Sequence, residues 1–240
     1  MSQFKELFTE IFQNNGLEIY IRDDNIEKFE KLTEIMIQTN AVMNITALTT
    51  IEKIIPLHYA DCVKIAEKIP EGTTVIDIGC GGGFPILPLA IVRPDLKITG
   101  LDSTDKKVRY VQNTAHELGL RISTLSARAE EAAKMVQYRD FFDVAISRAV
   151  ARMNLLDELC MPFVKVGGTF IAMKGAAGQE ELDEAQNGIE KLGGVITKMD
   201  EYDLYTGHEN EKRTVIEITK LTATPKEFPR GFGAIKKKPL

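Results

Sequence analysis

From Thr73 onward the chain alternates short β-branched runs with helical stretches, and few folds accommodate that pattern. The runs are TTVIDIG, KITGLD, RISTLSA, FDVAISRA and GTFIAMK. Helical segments fall between them near residues 85–93, 104–119, 128–137 and 153–165. Strands joined through helices pair in parallel, so these runs predict an α/β fold with a parallel sheet covered on both faces. Two more strands, VITKMDEY and RTVIEITKL, are separated only by LYTGHENEK, which is too short for a crossover helix. They predict an antiparallel hairpin at the end of the sheet.

The part before Thr73 reads differently. FKELFTEIF puts Phe4, Leu7, Phe8, Ile11 and Phe12 on one helical face, and NIEKFEKLTEIMIQT does the same with Ile26, Phe29, Leu32, Ile35 and Met36. A third helix is expected over Glu52 to Lys68, with Pro56 near its start, and NAVMNITALT reads as a loop or helix end. Three regions follow: a helical extension over 1–70 packed on the core, a core over 71–222, and a basic tail over 223–240. The tail, TPKEFPRGFGAIKKKPL, has little helical or strand pattern. A solvated end and an arm for polyanions both fit it.

Composition limits the partners. The chain has 240 residues, 44% of them hydrophobic, enough for the core of one large domain. Its formal net charge of -5 argues against a protein that is basic all over, so any nucleic-acid contact must be local. Cys62, Cys80 and Cys160 are odd in number and widely spaced, and predict neither a disulfide framework nor a metal site. No apolar run approaches membrane-span length, and the opening MSQFKELFTEIF lacks a basic-then-apolar leader. A cytoplasmic protein with no membrane contact is expected.

The chemistry concentrates in VIDIGCGGGFPILPLAI, a strand that runs into Gly79, Gly81, Gly82 and Gly83 and leaves as a helix after Pro85. Such a turn lets backbone approach a ligand beyond the carboxyl end of a strand. A dinucleotide fingerprint beginning at Gly79 would need glycine at position 84, where Phe84 stands, and no Lys-Ser/Thr follows to make a phosphate-hydrolysing loop. Asp102, at the end of the second strand, is placed to hold a ribose hydroxyl pair, or to cap the next helix. Arg148, ending the fourth strand, is either a pocket-mouth residue or a surface ion pair.

The D-x-G-x-G-x-G run with Asp102 resembles the first two motifs of class I S-adenosylmethionine-dependent methyltransferases. More specific strings follow in order: Asn40, Asn44 and Thr46 of NAVMNIT, HYADC at His58 and Asp61, LDSTDKKVRYV, ARAEE, FDVAISRAVA, MKG and the terminal FPR and KKKPL. Together they resemble the ribosomal RNA small subunit methyltransferase G family, also called glucose-inhibited division protein B, over nearly the whole chain. The resemblance implies a Rossmann-like, seven-stranded, mostly parallel sheet with an antiparallel last strand. It implies S-adenosyl-L-methionine as cofactor, held by Gly79, Phe84, Asp102, Ala129, Glu130 and Arg148. The substrate would be small-subunit (16S) ribosomal RNA, free or in an assembling subunit, and the product N7-methylguanosine at one guanine.

Guanine N7 has an available lone pair, so methylating it needs no general base. Positioning is then the enzyme's main task and no catalytic side chain is required, with Arg148 the candidate to take part in it and to contact RNA phosphate or base. His58 and Asp61 read as packing or capping residues, and Cys80 as a small loop residue. Lys174 and Arg213 are candidate contacts for RNA phosphate or base. A monomer is expected. The alternatives are a small-molecule methyltransferase of the same fold and a non-catalytic ribosome-assembly or RNA-binding factor.

Overall fold

The computed structural model describes residues 2–240. Helix α1 (Gln3–Asn14) begins where the Ser2 hydroxyl accepts a hydrogen bond from the Lys5 N–H at 3.2 Å. Helix α2 (Asp23–Asn40) follows, then the short α3 (Ile51–Ile54), a wide π-type turn (Ile55–Ala60) and α4 (Asp61–Val63). The single helix expected over Glu52 to Lys68 is therefore broken. Pro56 has no N–H to continue a regular ladder, and the backbone widens around it. His58 and Asp61 sit in and just after that wide turn.

The core runs β1 (Thr74–Ile78), α5 (Ile86–Val92), β2 (Lys97–Asp102), α6 (Asp105–Glu117), β3 (Ile122–Ser126), α7 (Ala129–Ala132), β4 (Phe142–Arg148), α8 (Met153–Cys160), β5 (Val164–Lys174), α9 (Gly178–Lys191), β6 (Gly194–Tyr205) and β7 (Asn210–Lys220). The sheet order is β3-β2-β1-β4-β5-β7-β6. Strands β1 to β5 pair in parallel, and β7 lies antiparallel between β5 and β6. The expected hairpin is present, and its strands reach further into the connecting segment than expected, so that only residues 206–209 turn. Thr206 closes that turn by donating twice to the Glu209 carbonyl, from N–H at 2.9 Å and from its hydroxyl at 2.8 Å.

Two helical regions differ from expectation. The helix near 128–137 is only the one turn of α7, and α9 lies in a stretch not assigned from sequence. Leu182, Ala185 and Ile189 form its buried stripe. The tail is docked rather than loose: it ends in α10 (Phe232–Lys237), with Ile235 fully buried. Among the described residues no helix is long and apolar enough to cross a membrane.

Alternation along the strands sends Val75, Val144, Ile146, Ile171 and Met173 to one face, and Ile76, Ile78, Ala145, Phe170 and Ala172 to the other. The first face packs against α1, α2, α5 and α6, so the N-terminal helices are part of one layer of the domain. An aromatic file runs through that layer. Phe8 and Phe12 stack at 3.8 Å, Phe29 lies 5.1 Å from Phe8 and 4.7 Å from Tyr59, and Tyr59 lies 6.4 Å from Phe84. The buried Tyr59 hydroxyl is satisfied by Thr33 at 2.7 Å. Phe29→Ala should remove the middle of the file and cost about 3–5 kcal/mol of stability, read as a lower urea midpoint with an unchanged m value.

Candidate functional site

The chain leaves β1 toward β2 and β3, then returns to β4 on the other side of β1. Their carboxyl ends therefore flank a crevice, the usual ligand position in an open α/β sheet. A cavity of about 470 Å³ lies there. Gly79, Phe84, Asp102, Ala129, Glu130 and Arg148 all line it, so the structure brings together every position nominated for the cofactor, while Lys174 and Arg213 lie elsewhere.

The glycine loop is shaped by contacts at β2. The N–H groups of Gly79 and Cys80 both donate to the Leu101 carbonyl, at 2.8 and 2.9 Å. Gly79 has φ +78°, and a Cβ there would come within 2.6 Å of Val150 Cγ2. Asp102 accepts from the Gly81 N–H through Oδ2 at 3.0 Å and from the Thr104 N–H through Oδ1 at 2.8 Å. The helix-cap reading does not hold, because the N-cap of α6 is Thr104 and no side chain bonds the first-turn N–H groups. Asp102 instead braces the glycine loop and the entry to α6 while lining the cavity, and each oxygen keeps a lone pair for a further donor. Glu130, 8% exposed, lines the cavity at the start of α7.

Phe84 forms a wall, stacked on the His58 ring at 4.1 Å, with the Arg148 guanidinium 5.6 Å from its centroid. Arg148 is held by the wide turn: Nη1 donates to the Leu57 carbonyl at 3.0 Å and to Asp61 Oδ2 at 3.1 Å, and Nη2 donates to His58 Nδ1 at 3.1 Å. A guanidinium can only donate, so His58 Nδ1 accepts and the ring proton sits on Nε2, 2.8 Å from the Thr46 hydroxyl. Burial and the Arg148 charge push the His58 pKa down to about 3, so the ring is neutral at physiological pH. Thr46 is itself placed by Asn40, whose Oδ1 accepts from the Ile45 and Thr46 N–H groups at 2.8 and 3.1 Å. The carboxylate of Asp77, in β1, is fully buried without a partner on either oxygen, and Arg148 Nε is also unpartnered. Burial raises the Asp77 pKa well above the usual carboxylate range, and the Arg148 charge opposes that rise.

A second cavity of about 430 Å³ adjoins the first and shares Arg148, Ala149 and Val150 with it. Ala149 has φ +56°, a strained value for a residue with a Cβ, on the wall between the two spaces. Tyr202 and Arg213 line this second cavity, with Arg213 donating to Asp61 Oδ1 at 3.1 Å and to Glu211 at 2.9 Å.

Some sequence readings change here. Asp61, read as packing or capping, is a buried carboxylate shared by Arg148 and Arg213. His58 lines the first cavity. Lys174, nominated for RNA, lines the second cavity with little exposure, its ammonium donating to the Ala151 carbonyl at 2.6 Å and paired with Glu181 at 2.8 Å. Cys80 is 1% exposed, and burial pushes its thiol pKa up, so it is a poor nucleophile. Ile45, Thr46, Val150 and Phe232 also line the cavity without having been nominated. The Asn-rich loop before Thr46 was the available signal for the first two; nothing local marked Phe232.

The fit to an adenosine-bearing cofactor rests on these features. The cavity is of small-ligand size, a carboxylate with free lone pairs stands at the end of β2, and a tight glycine turn leaves no room for a Cβ. Comparison with known proteins agrees. The family described as GidB, rRNA small subunit methyltransferase G, matches residues 25–207. The ribosomal RNA small subunit methyltransferase G of Clostridium perfringens (strain 13) is 38% identical over 99% of both chains. That of Brevibacillus brevis is 39% identical over 98% of this chain and 99% of its own. Among solved structures, a SAM-dependent methyltransferase from Methanosarcina mazei superposes with TM-score 0.52 at 16% identity, covering 66% of this chain and 97% of the other. M. jannaschii TYW2 in complex with AdoMet gives TM-score 0.53 at 15% identity, covering 67% and 75%. These two likenesses concern the fold.

Because His58 is held neutral when folded and titrates near 6.5 when unfolded, the unfolded chain binds more protons between those values. This contribution is fully present above about pH 6.5 and is lost as the pH falls toward about 3. Denaturant titrations at several pH values should show a shallower acid-side loss for His58→Gln than for wild type. The difference should be at most about 1.4 kcal/mol per pH unit.

Proposed function

We infer an enzyme that methylates small-subunit ribosomal RNA, because the chain belongs to the rRNA small subunit methyltransferase G family. Its cofactor is S-adenosyl-L-methionine, which supplies a methyl group on a sulfonium that is already a good leaving group. The observation behind the site assignment is the convergence of Gly79, Phe84, Asp102, Ala129, Glu130 and Arg148 on one cavity that meets a second at Arg148. In this reading the first cavity takes the cofactor: Asp102 accepts from the ribose hydroxyls, and Ala129 and Glu130 flank the adenine. The second takes the target base, with Tyr202 as an aromatic face and Arg213 as a cation beside it.

The acceptor we propose is N7 of one guanine. That lone pair needs no proton removed, and the site is consistent with this. His58 has both ring nitrogens engaged, and the Cys80 thiol is held protonated by burial. What the protein supplies is alignment, a contribution that can amount to several kcal/mol of the barrier. Arg148, fixed by Leu57, His58 and Asp61, is rigid on the wall where base and methyl group would meet. N7 faces the deep groove of A-form RNA, so the guanine must be presented unstacked. Lys236, Lys237 and Lys238, all exposed on the docked tail, are candidate phosphate contacts. We place the enzyme in the cytoplasm as a monomer acting on free RNA or an assembling subunit.

The decisive measurement maps N7-methylguanosine in small-subunit ribosomal RNA from cells with and without the gene. One modified guanine should vanish with the gene, and purified protein should restore it. If no such residue changes, the acceptor assignment is wrong. Arg148→Ala should reduce transfer at least a hundredfold in vitro while the protein still unfolds cooperatively.

Asp102→Ala should weaken S-adenosylhomocysteine binding by roughly 1.5–3 kcal/mol, the range for a hydrogen bond to a charged group, as read by calorimetry. It also unhooks the Gly81 N–H, so circular dichroism must accompany the titration. Unchanged affinity would leave Asp102 a structural clamp alone.

A further inference from the structure

The docked tail brings an aromatic side chain to the cofactor cavity. Phe232 lines that cavity while remaining 37% exposed, more than almost all the other phenylalanines of the chain. Its position is not that of a loose end. Arg139 spans the start of the tail, donating to the Thr224 and Phe228 carbonyls, each at 2.8 Å. Arg230 then locks on to Glu158 of α8, which is fully buried. The Arg230 N–H donates to Oε1 at 2.7 Å, Nε donates to Oε1 at 2.9 Å and Nη2 to Oε2 at 2.6 Å. A charge-assisted fork of this kind fixes both distance and orientation.

Two residues later α10 begins, and Ile235 is buried in the apolar cluster that includes Ala132 and Ala133, at the end of α7, and Leu156 of α8. Residues three apart share a helix face, so burying Ile235 sets the side from which Phe232 reaches the cavity. The cavity is also lined by Ala129 and Glu130 of α7 and by Leu159 of α8, the helix that α10 packs against. Phe232 is thus presented to the same cavity as Ala129 and Glu130 by anchors on both sides of it.

We propose that Phe232 is a cofactor-binding residue that closes the adenine end of the cavity as an aromatic wall. The inference rests on the cofactor reading above. Phe232 gains little by facing water when the cavity is empty. Against a flat heteroaromatic ring it would gain both burial and an offset or edge contact. It would also make the C-terminal segment part of the cofactor site, which the basic character of the tail alone does not indicate.

The test is calorimetry with S-adenosylhomocysteine and with 5′-methylthioadenosine, which lacks the amino-acid end. Phe232→Ala should weaken both ligands by roughly three- to tenfold, with a thermal midpoint close to wild type because the ring is surface-accessible. Phe232→Tyr, which keeps the ring, should restore most of the affinity. Equal affinities for wild type and Phe232→Ala overturn the proposal, as does a loss confined to S-adenosylhomocysteine, since the contact would then lie elsewhere. If wild type binds neither ligand, the cofactor reading falls and this inference falls with it. If wild type binds and Phe232→Ala binds equally well, only this inference falls.

Discussion

The Asp61 carboxylate is the interaction on which the site depends. It is 5% exposed and faces Arg148 from β4 and Arg213 from β7, two strands with β5 between them. One buried negative charge between two cations would be costly unless each remaining donor found a partner. Most do: Leu57, His58 and Glu211 take the other guanidinium hydrogens. The helical layer is thereby tied to the carboxyl edge of the sheet at the point where the two cavities meet. Asp77 and Arg148 Nε, both unpartnered, are the residual polarity of that region.

Neutral His58 is part of the same arrangement. A protonated ring would set a second cation against Arg148 and would have no lone pair to accept its hydrogen bond. The low pKa and the tautomer are therefore two aspects of one constraint, imposed by the guanidinium. The π-type turn makes this possible by directing His58 and Asp61 toward the end of β4, a placement that a regular helix over the same residues would not provide in the same way.

Period-two and period-3.6 patterns made the sheet and most helices legible, and the glycine turn with Asp102 located the crevice. What escaped had a physical reason in each case. The break in the Glu52 to Lys68 helix follows from Pro56, but its consequence, the approach of Asp61 to Arg213, links residues far apart in the chain. Helix α9 is polar, with Gly178 at its start and Gly188 inside, and its apolar stripe is thin. Lys174 stands where the sequence put it, beside the second cavity, but its pairing with Glu181 of α9 depends on a helix that the sequence did not reveal. The tail looked unstructured because its order comes from Glu158 and the α7–α8 cluster and not from its own periodicity.

The aromatic file bears on how the protein is made. Phe8, Phe12 and Phe29 leave the ribosome early and Tyr59 and α5 follow soon after, while Val144 and Ile146 of β4, in the same core layer, lie more than half-way along the chain. At roughly 5–20 residues per second, the layer waits on the order of ten seconds for β4. During that interval the nascent helices can bury their apolar stripes against one another and α5, but not within the completed layer. Any factor that shelters nascent chains has its strongest claim on this one before β4 emerges, and slow codons upstream of Phe142 would lengthen the exposure.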